Sequence, residues 1–473
     1  AGAAGAAGAA GAAELLEPGR GEIVLGFLQA RGAQLRGVGG DTTVLPEVAL
    51  CAGVYHQLLL LLLGQLTPAD KPAWALHGPV AHAAPPRGTA VFDALYAQPE
   101  ALRALLRWAA ALHRAAPRQC EPFWADDAGV SFAHLTGCRL AAQPQLYEEY
   151  MRFLAAVGRG SHHAAESCHL LLERVSASVK SISPAYMLAH ELPLIVPFVR
   201  QRLEQLEYLT NRGLSVQGHD AERELVDVCF PKWSAVLALL GALASRSPRL
   251  RTEWSQPATT TLVQLIKAGV SPALKAAALR TLRAFALPSP PPARLANAPP
   301  IVAAGVAEVA AEAIWRALTA PVLPDGQQPQ QPPTQETELE LLAGLKKDLE
   351  VEQRHQEYPQ TLAFVRLVRR LLSSCASASR PPPTGLTRHV AWIGEEVFGR
   401  FEAFGFRHEE HKWELASGCL AAMVQAVRDY SPDACDAQEA GSHEEDPVAA
   451  ARWLVAIEHR GVGGGWVWMP GDG

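Results

Sequence analysis

Features typical of β-proteins, membrane proteins and disulfide-rich secreted proteins are scarce in this sequence. Few stretches alternate apolar and polar residues or concentrate β-branched side chains, so strand signals are weak. The longest run of a single apolar residue type is six leucines, 58–63, whereas a membrane-spanning helix needs about 20 apolar residues. None of the eight cysteines forms a CxxC pair. The spacing excludes a dense disulfide framework and favours reduced thiols in a cytosolic or nuclear compartment.

Charge is also scarce, at 19% of residues, and the net charge is −6. A general nucleic-acid-binding protein usually carries a basic surface, so we expect no direct contact with nucleic acid. Apolar residues make up 49% of the chain. That content excludes a wholly disordered chain, which would combine low hydrophobicity with high net charge.

The composition also predicts how the chain is organised. An Ala/Gly repeat opens the sequence at Ala1, without an initiator Met or a signal peptide, and the last residues are Gly-rich. We therefore expect an internal piece of a larger protein. The predicted parts are an Ala/Gly linker at 1–19, a helical segment at 20–460 and an irregular tail at 461–473. Mobile Pro-rich or polar loops are expected at about 68–88, 288–300, 320–335, 376–384 and 431–447.

Helical periodicity recurs along the segment between those ends. Ser271 is a good N-cap, Pro272 suits the first helical position, and Pro288 stops the helix. The apolar stripe of this helix consists of Leu274, Ala278, Leu282 and Phe285. Further helices are predicted at 99–115, 143–157, 184–211, 256–268, 299–319, 336–354, 358–376 and 411–428.

Two of these helices have distinctive apolar faces. The helix at 358–376 carries two adjacent stripes, so it should pack on more than one side. The first stripe is Leu362, Val365, Val368 and Leu372, and the second is Phe364, Leu367 and Leu371. The helix at 411–428 has one stripe, made of Trp413, Ala416, Leu420, Val424 and Val427.

Helix, short turn and helix follow one another over hundreds of residues without a strict repeat period. This pattern predicts an all-α fold, an irregular HEAT- or armadillo-like α-helical solenoid built as a superhelical stack of antiparallel helix pairs.

Two histidine clusters are candidate metal sites. His408-Glu409-Glu410-His411 has its histidines three residues apart, whereas a zincin needs them four apart. Glu414 and His443 are the further ligands that could be invoked. A metal-dependent helical hydrolase is therefore a remote alternative, and a solvated helix face is the preferred interpretation.

The second cluster is His162-His163 with Cys168-His169, which lacks the paired spacing of a structural zinc site. Cys168 is interpreted as a small buried residue on a helix. No phosphate loop, nucleophile elbow or dinucleotide fingerprint occurs. We expect no catalytic residues, no metal, no cofactor and no enzymatic activity.

Aromatic residues at helical spacing are interpreted as core. They are Trp108, Phe123, Trp124, Trp233, Trp254, Trp315, Trp392 and Trp413. Two Phe-Gly dipeptides, Phe398-Gly399 and Phe404-Gly405, lie among other apolar residues and are interpreted as core as well.

Three segments in order carry a resemblance to a known family. They are LKAAALRTLRAF (274–285), EYPQTLAF (357–364) and the set VFGRF (397–401), KWEL (412–415) and VRDYSP (427–432). This order and spacing resembles the very large inner-ring scaffold nucleoporins of the nuclear pore complex. A weaker likeness covers 146–168. The resemblance is firm over 270–432 and faint over 90–270.

The resemblance implies a structural protein at the nuclear envelope, part of a large symmetric ring. Its implied partners are short motifs of linker nucleoporins and neighbouring scaffold subunits, with no residue assigned to either. A soluble karyopherin-like transport receptor is the alternative, because such receptors are also acidic helical solenoids.

Two local expectations follow from the matching segments. Pro359 should begin a helix and push Tyr358 out of the preceding one, which makes a tight helix–helix corner. Trp413 is expected to bury its ring between helical layers, so that its replacement by alanine would cost about 3–5 kcal/mol.

Overall fold

The computed structural model describes residues 52–66, 89–211, 229–287, 311–320, 335–377 and 385–429. Within these ranges every regular element is helical and no β-strand occurs. The fold is therefore an all-α solenoid, as the periodicity predicts. The chain divides into two compact units, Ala1–Thr261 and Leu262–Gly473. The predicted terminal segments 1–19 and 461–473 lie outside the described residues, as do most residues of the five predicted loops.

The first unit contains α1 to α10 and most of α11, which crosses the boundary. In chain order these helices are α1 (Ala52–Leu66), α2 (Ala90–Tyr96), α3 (Pro99–Ala115), α4 (Cys120–Ala125), α5 (Asp127–Cys138), α6 (Tyr147–Val157), α7 (His162–Ser176), α8 (Pro184–Tyr186), α9 (Leu192–Asn211), α10 (Phe230–Arg246) and α11 (Pro248–Lys267). A π-helical turn, Met187–Glu191, joins α8 to α9.

The second unit contains the remaining described helices. They are α12 (Pro272–Phe285), α13 (311–319), α14 (Gln335–His355), α15 (Pro359–Ser377), α16 (Leu386–Trp392) and α17 (Glu409–Asp429). A π-helical turn, Ile393–Phe398, and a short 3₁₀ turn, Phe401–Ala403, connect α16 to α17.

Local capping chemistry explains why the start of the helix after Ser271 was predicted accurately. The Ser271 hydroxyl accepts a hydrogen bond from the Leu274 amide, and Pro272 occupies the first helical position. All four residues of the predicted stripe, from Leu274 to Phe285, are fully buried. The predicted helices at 99–115, 184–211, 336–354 and 358–376 are also present, although the π turn interrupts 184–211 and only 311–319 of the helix at 299–319 is described.

The core of the first unit is a cluster of aromatic rings from α4, α5 and α6. Phe123, Phe132 and Phe153 meet edge to face at centroid distances of 5.7 and 6.2 Å. Tyr150 is also fully buried, and its hydroxyl donates to the Ala133 carbonyl oxygen at 2.8 Å. These contacts place α6 at the centre of the unit, where it also packs against α3 and α10.

Two buried histidines adjoin this aromatic core. The ring centroids of His56 on α1 and His113 on α3 lie 5.4 Å apart, and the His113 ring also contacts the Phe123 ring. Burial lowers the pKa of His113 to about 4. Burial likewise lowers the pKa of His56, against a smaller raising effect of Asp126. Both rings are therefore neutral near pH 7.

This pair predicts acid sensitivity of the first unit. The unfolded chain binds a proton at each histidine near pH 6.5, whereas folded His113 binds one only near pH 4. Stability should therefore fall as pH drops from about 6.5 to about 4, by about 3 kcal/mol for His113. Hydrogen exchange of α6 in urea at several pH values measures this effect.

His113→Leu should reduce the loss of stability of the first unit at low pH. The substitution removes the titrating group and keeps an apolar side chain of similar size in the core. His163→Leu is the matched control, since His163 is exposed. Equal acid dependence in the two variants would contradict the assignment.

In the second unit, α15 confirms the prediction of a helix that packs on several sides. It contacts α12, α14, α16 and α17. Of the seven residues in its two stripes, all are buried except Leu362, which is half-buried. Most aromatic residues predicted as core are buried too, and Trp233 is half-buried.

The helix predicted at 411–428 is present as α17, but the prediction of its buried face was wrong. Trp413 is 57% exposed, so it does not lie between helical layers. Leu420, Val424 and Val427 share its face and are exposed as well, and only Ala416 of the predicted stripe is buried. The face that packs on the unit instead carries Leu415, Cys419, Ala422 and Met423. Both faces of α17 are apolar, and periodicity alone does not show which one faces the core.

Among the described helices, none combines the length and the apolar character needed to cross a lipid bilayer.

Candidate interaction surfaces

The second unit contains a helix–helix corner between α14 and α15, at the EYP step. Here α14 ends at His355 and α15 begins at Pro359, so Pro359 occupies the first helical position as predicted. Gln356 adopts a left-handed conformation, with φ of 56°. Tyr358 is buried, and its hydroxyl donates to the Gly405 carbonyl oxygen at 2.9 Å. The corner is thereby tied to the segment that leads into α17.

A buried carboxylate caps the first turn of α15 from the neighbouring helix. The Glu352 carboxylate accepts hydrogen bonds from the amides of Gln360 and Thr361 and from the Thr361 hydroxyl. These amides belong to the helix start, where no intrahelical acceptor is available. One turn earlier on α14, Asp348 pairs with Lys275 of α12 at 2.7 Å. Polar contacts thus connect α12, α14 and α15.

Burial raises the pKa of Glu352 to about 7, more than its hydrogen bonds lower it. The unfolded chain releases this proton near pH 4.5, so the folded form holds the proton more tightly between these values. Stability of the second unit should therefore be highest below about pH 4.5 and should fall by about 3 kcal/mol as pH rises through 7. Hydrogen exchange of α15 in urea, at pH values from 5 to 8, measures this loss.

Glu352→Gln should remove most of that pH dependence, because the amide cannot ionise and still offers an oxygen to the amides of α15. Glu350→Gln is the control, since Glu350 is exposed on the same helix. A slope unchanged by Glu352→Gln would show that another group causes it.

Aromatic residues cluster on the surface around the segment between α16 and α17. Phe404 stacks on Tyr358 at 5.3 Å, and Phe398 stacks on Phe401 at 5.4 Å. The Phe401 ring also meets Trp413 at 6.4 Å, and the Lys412 ammonium lies over both rings. Phe398, Phe401 and Phe404 are half-buried, so the prediction of both Phe-Gly dipeptides as core was only partly correct.

This aromatic cluster is continuous with the exposed apolar face of α17. We call this face the α17 stripe, defined by Trp413, Leu420, Val424 and Val427. The stripe extends along about 21 Å of helix. Exposed contiguous apolar surface of this kind marks an interaction site.

A second exposed apolar face lies on α1. Val54, Leu58 and Leu61 point to solvent and are between 46% and 72% exposed. The opposite face of the same helix buries Leu59, Leu63 and Leu66. The run of six leucines therefore serves two faces, one inside the first unit and one outside it.

The architecture of packed helices with apolar outer faces agrees with a comparison of the sequence with known families. Residues 80–453 match the family described as the nuclear pore complex scaffold, nucleoporins 186/192/205. The match covers well over half of the chain and nearly all described helices. The chain belongs to the Nup192 family. Members of this family are components of the nuclear pore complex at the nuclear envelope.

A curated relative supports the same assignment. The chain is 24% identical over 302 residues to the human nuclear pore complex protein Nup205. The aligned region covers 61% of this chain and 14% of the relative. The chain thus spans about one seventh of the length of that relative. The resemblance inferred from the three ordered segments is confirmed at the level of the family.

The two histidine clusters are placed on helices of this Nup192-family fold. His408 and His411 have rings 5.2 Å apart just before and within the first turn of α17. Glu414 pairs with Arg366, and His443 lies outside the described residues. Within the described ranges, no group of three or more His, Cys, Asp or Glu side chains is arranged to hold a metal ion.

The other cluster is divided between two sides of α7. His162 and His163 are exposed at its start, whereas Cys168 and His169 are buried. The Cys168 thiol lies 3.8 Å from the Leu154 carbonyl oxygen, and His169 packs against Trp254. Cys168 is the small buried helical residue that the sequence predicts.

Sequence reasoning missed the Glu352 cap and the two exposed faces. The cap joins Glu352 to residues eight and nine positions later in the chain, across a corner. Neither helical nor strand periodicity predicts a contact at that spacing. The leucine run was visible in the sequence. Its division into an inner and an outer face follows from how α1 packs on α5 and α3.

Proposed function

We propose that this chain is a structural segment of the inner ring of the nuclear pore complex. In this role it holds short motifs of linker nucleoporins and contacts neighbouring scaffold subunits, which supports nucleocytoplasmic transport. The observation that carries the proposal is the family match over residues 80–453, which coincides with the packed helices. A structural role also suits a family of scaffold proteins, so we propose no catalytic activity.

The described contacts support the two requirements of such a role. Rigid spacing needs helices that do not slide, and the Glu352 cap and the Lys275–Asp348 pair fix α12, α14 and α15 to each other. Partner capture needs accessible apolar surface, which α1 and the aromatic cluster provide. Grooves between stacked helices suit helical or extended peptides. Many weak tethered contacts on one ring would then give high avidity.

The karyopherin-like alternative is disfavoured by the family match and by the irregular helix lengths. The described helices range from 3 to 21 residues, whereas transport receptors of that type repeat helix pairs near a period of about 40 residues.

Cross-linking mass spectrometry on isolated nuclear envelopes tests the proposal. Only 8 of the 42 basic residues are Lys, so the reagent must also react with carboxylates. We expect links from residues 90–429 to linker and scaffold nucleoporins that persist after a moderate-salt wash. Links to a small GTPase and cargo that disappear on washing would instead support the transport-receptor function.

Two glycine variants make the cross-linking experiment specific for the folded chain. Gly160→Ala should destabilise the first unit, for reasons argued in the Discussion, and should reduce the links from that unit. Gly64→Ala introduces the same methyl group at a position where no atom lies within 4 Å. Its links should match those of the unmodified chain.

A further inference from the structure

Three turns of the first unit meet at one end of its helices. They join α3 to α4, α6 to α7 and α10 to α11. A methyl group at Gly160, in the second of these turns, would lie 2.6 Å from the Pro117 carbonyl oxygen in the first. A methyl group at Gly158 would lie 2.8 Å from the Leu243 side chain, in the last turn of α10. The three turns therefore lie side by side.

Each of these turns has an exposed arginine in it or directly before it. We call this set the arginine edge, defined by Arg118, Arg159 and Arg246. Burial raises the pKa of the Cys120 thiol to about 12, and the positive charges of Arg246 and Arg159 act against this rise. Both guanidinium groups therefore lie near the same buried side chain, which follows Arg118 by two residues.

The arginine edge has an unbalanced positive charge. None of its three arginines forms an ion pair with another residue that the structure describes. Among the neighbouring charged side chains, Arg249 pairs with Glu166 at 2.6 Å. Arg114 and Glu121 are both exposed and have opposite charges. After these two pairs cancel, the charge of the three edge arginines remains.

We propose that the arginine edge binds an acidic peptide segment of a partner protein through the carboxylates of that segment. A guanidinium group presents a planar fork of N–H donors that matches the two oxygens of a carboxylate. Three arginines on adjacent turns suit two or three acidic side chains that follow one another closely. Such a partner goes beyond the scaffold role proposed above, because it is specified by the surface charge of the first unit rather than by the family.

The charge and composition of the arginine edge favour a peptide over a membrane or a nucleic acid. Basic clusters that attract an anionic lipid surface contain about 4–8 Lys or Arg residues, more than the three unbalanced charges of the edge. None of the exposed large apolar side chains belongs to the three turns, so none is available there for insertion into lipid. An extended nucleic-acid interface neutralises about 6–10 phosphates, and the chain as a whole has a net charge of −6.

Fluorescence anisotropy with the full chain measures the binding. The probe is a labelled peptide of alternating Glu and Ser residues, and the control peptide has Gln in place of each Glu. We expect the Glu peptide to bind more tightly than the Gln peptide, and its affinity to fall as the salt concentration rises. Equal affinity for the two peptides at low salt would overturn the proposal.

A matched pair of triple variants locates the binding site. The edge variant combines Arg118→Gln, Arg159→Gln and Arg246→Gln. The control variant combines Arg152→Gln, Lys180→Gln and Arg200→Gln, at exposed positions elsewhere on the first unit. All six side chains are exposed, so hydrogen exchange of α6 should stay unchanged in both variants.

The edge variant should bind the Glu peptide about tenfold or more weakly, because each exposed ion pair contributes about twofold to fivefold. The control variant loses the same number of positive charges and should keep most of the affinity. Equal weakening in the two variants would show that overall charge attracts the peptide, and would overturn the assignment to the edge.

Co-sedimentation with vesicles of phosphatidylcholine and phosphatidylserine tests the lipid surface as the other occupant. We expect no vesicle binding that depends on the arginine edge. Vesicle binding that the edge variant loses and the control variant keeps, without binding of the Glu peptide, would assign the edge to a membrane and overturn the proposal.

Discussion

Replacing Trp315 by alanine should destabilise the second unit by about 3–5 kcal/mol, whereas replacing Trp413 should change its stability by less than about 1 kcal/mol. The two tryptophans belong to the same unit and were both expected to be core from their spacing. Trp315 is buried on α13, and its ring stands edge-on to the His389 ring at 4.9 Å. Trp413 is 57% exposed on α17.

The difference comes from the cavity that each truncation leaves. Removing a buried indole forfeits its transfer free energy and opens a space that surrounding side chains fill only partly. At Trp315 the ring packs against His389, and the side chain is only 2% exposed. At Trp413 the indole contacts Phe401 and the Lys412 ammonium but is 57% exposed, so water replaces most of what is lost.

Urea unfolding followed by hydrogen exchange of α12 and α15 gives the stability of the second unit in each variant. A loss of several kcal/mol in Trp413→Ala would contradict the exposed position of the indole. Little change in Trp315→Ala would contradict the position of α13 in the core.

Gly160→Ala should destabilise the first unit by about 3 kcal/mol, whereas Gly64→Ala should stabilise it by about 0.5–1 kcal/mol. A methyl group at Gly160 would lie 2.6 Å from the Pro117 carbonyl oxygen and closer still to the Cys120 side chain. Backbone atoms cannot rotate away as a flexible side chain can. The turn before α7 must therefore move, together with the buried Cys120 at the start of α4.

The control at Gly64 differs only in the space available. Nothing lies within 4 Å of a methyl group built there, and the residue is inside α1. Alanine at that position lowers the conformational entropy of the unfolded chain without a clash. Thermal unfolding of both variants, resolved by hydrogen exchange of α6, measures the two opposite changes. A stabilised Gly160→Ala would disprove the close approach of the α6–α7 turn to α4.

Local chemistry made several elements predictable from sequence. Ser271 with Pro272, and Pro359 after the EYP step, use hydrogen-bonding and steric rules that act within a few residues, so the helix starts at 272 and 359 are accurate. The double stripe of α15 is equally local, because seven apolar residues at helical spacing make an apolar face wider than one neighbouring helix can cover. The ordered segments at 274–285, 357–364 and 397–432 were also enough to indicate the family.

Other features depended on which elements meet in space. α17 and α1 each carry apolar residues on two faces, and only packing on α15 or on α3 and α5 decides which face is buried. The sequence placed Trp413 on a stripe but could not show that Leu415 and Cys419, on the other side, are the residues that pack inward.

The sequence by itself determined the helical class, the main caps and corners, and the membership of the family, since each depends on residue types at short or ordered spacing. The tertiary structure decided the Glu352 cap, the neutral His56–His113 pair, the close approach at Gly160 and the outward direction of the α17 stripe. The physical reason is that burial, hydrogen bonding across a corner and steric contact arise between residues far apart in the chain. Periodicity records that a helix has an apolar face, and the neighbouring helices decide what that face contacts.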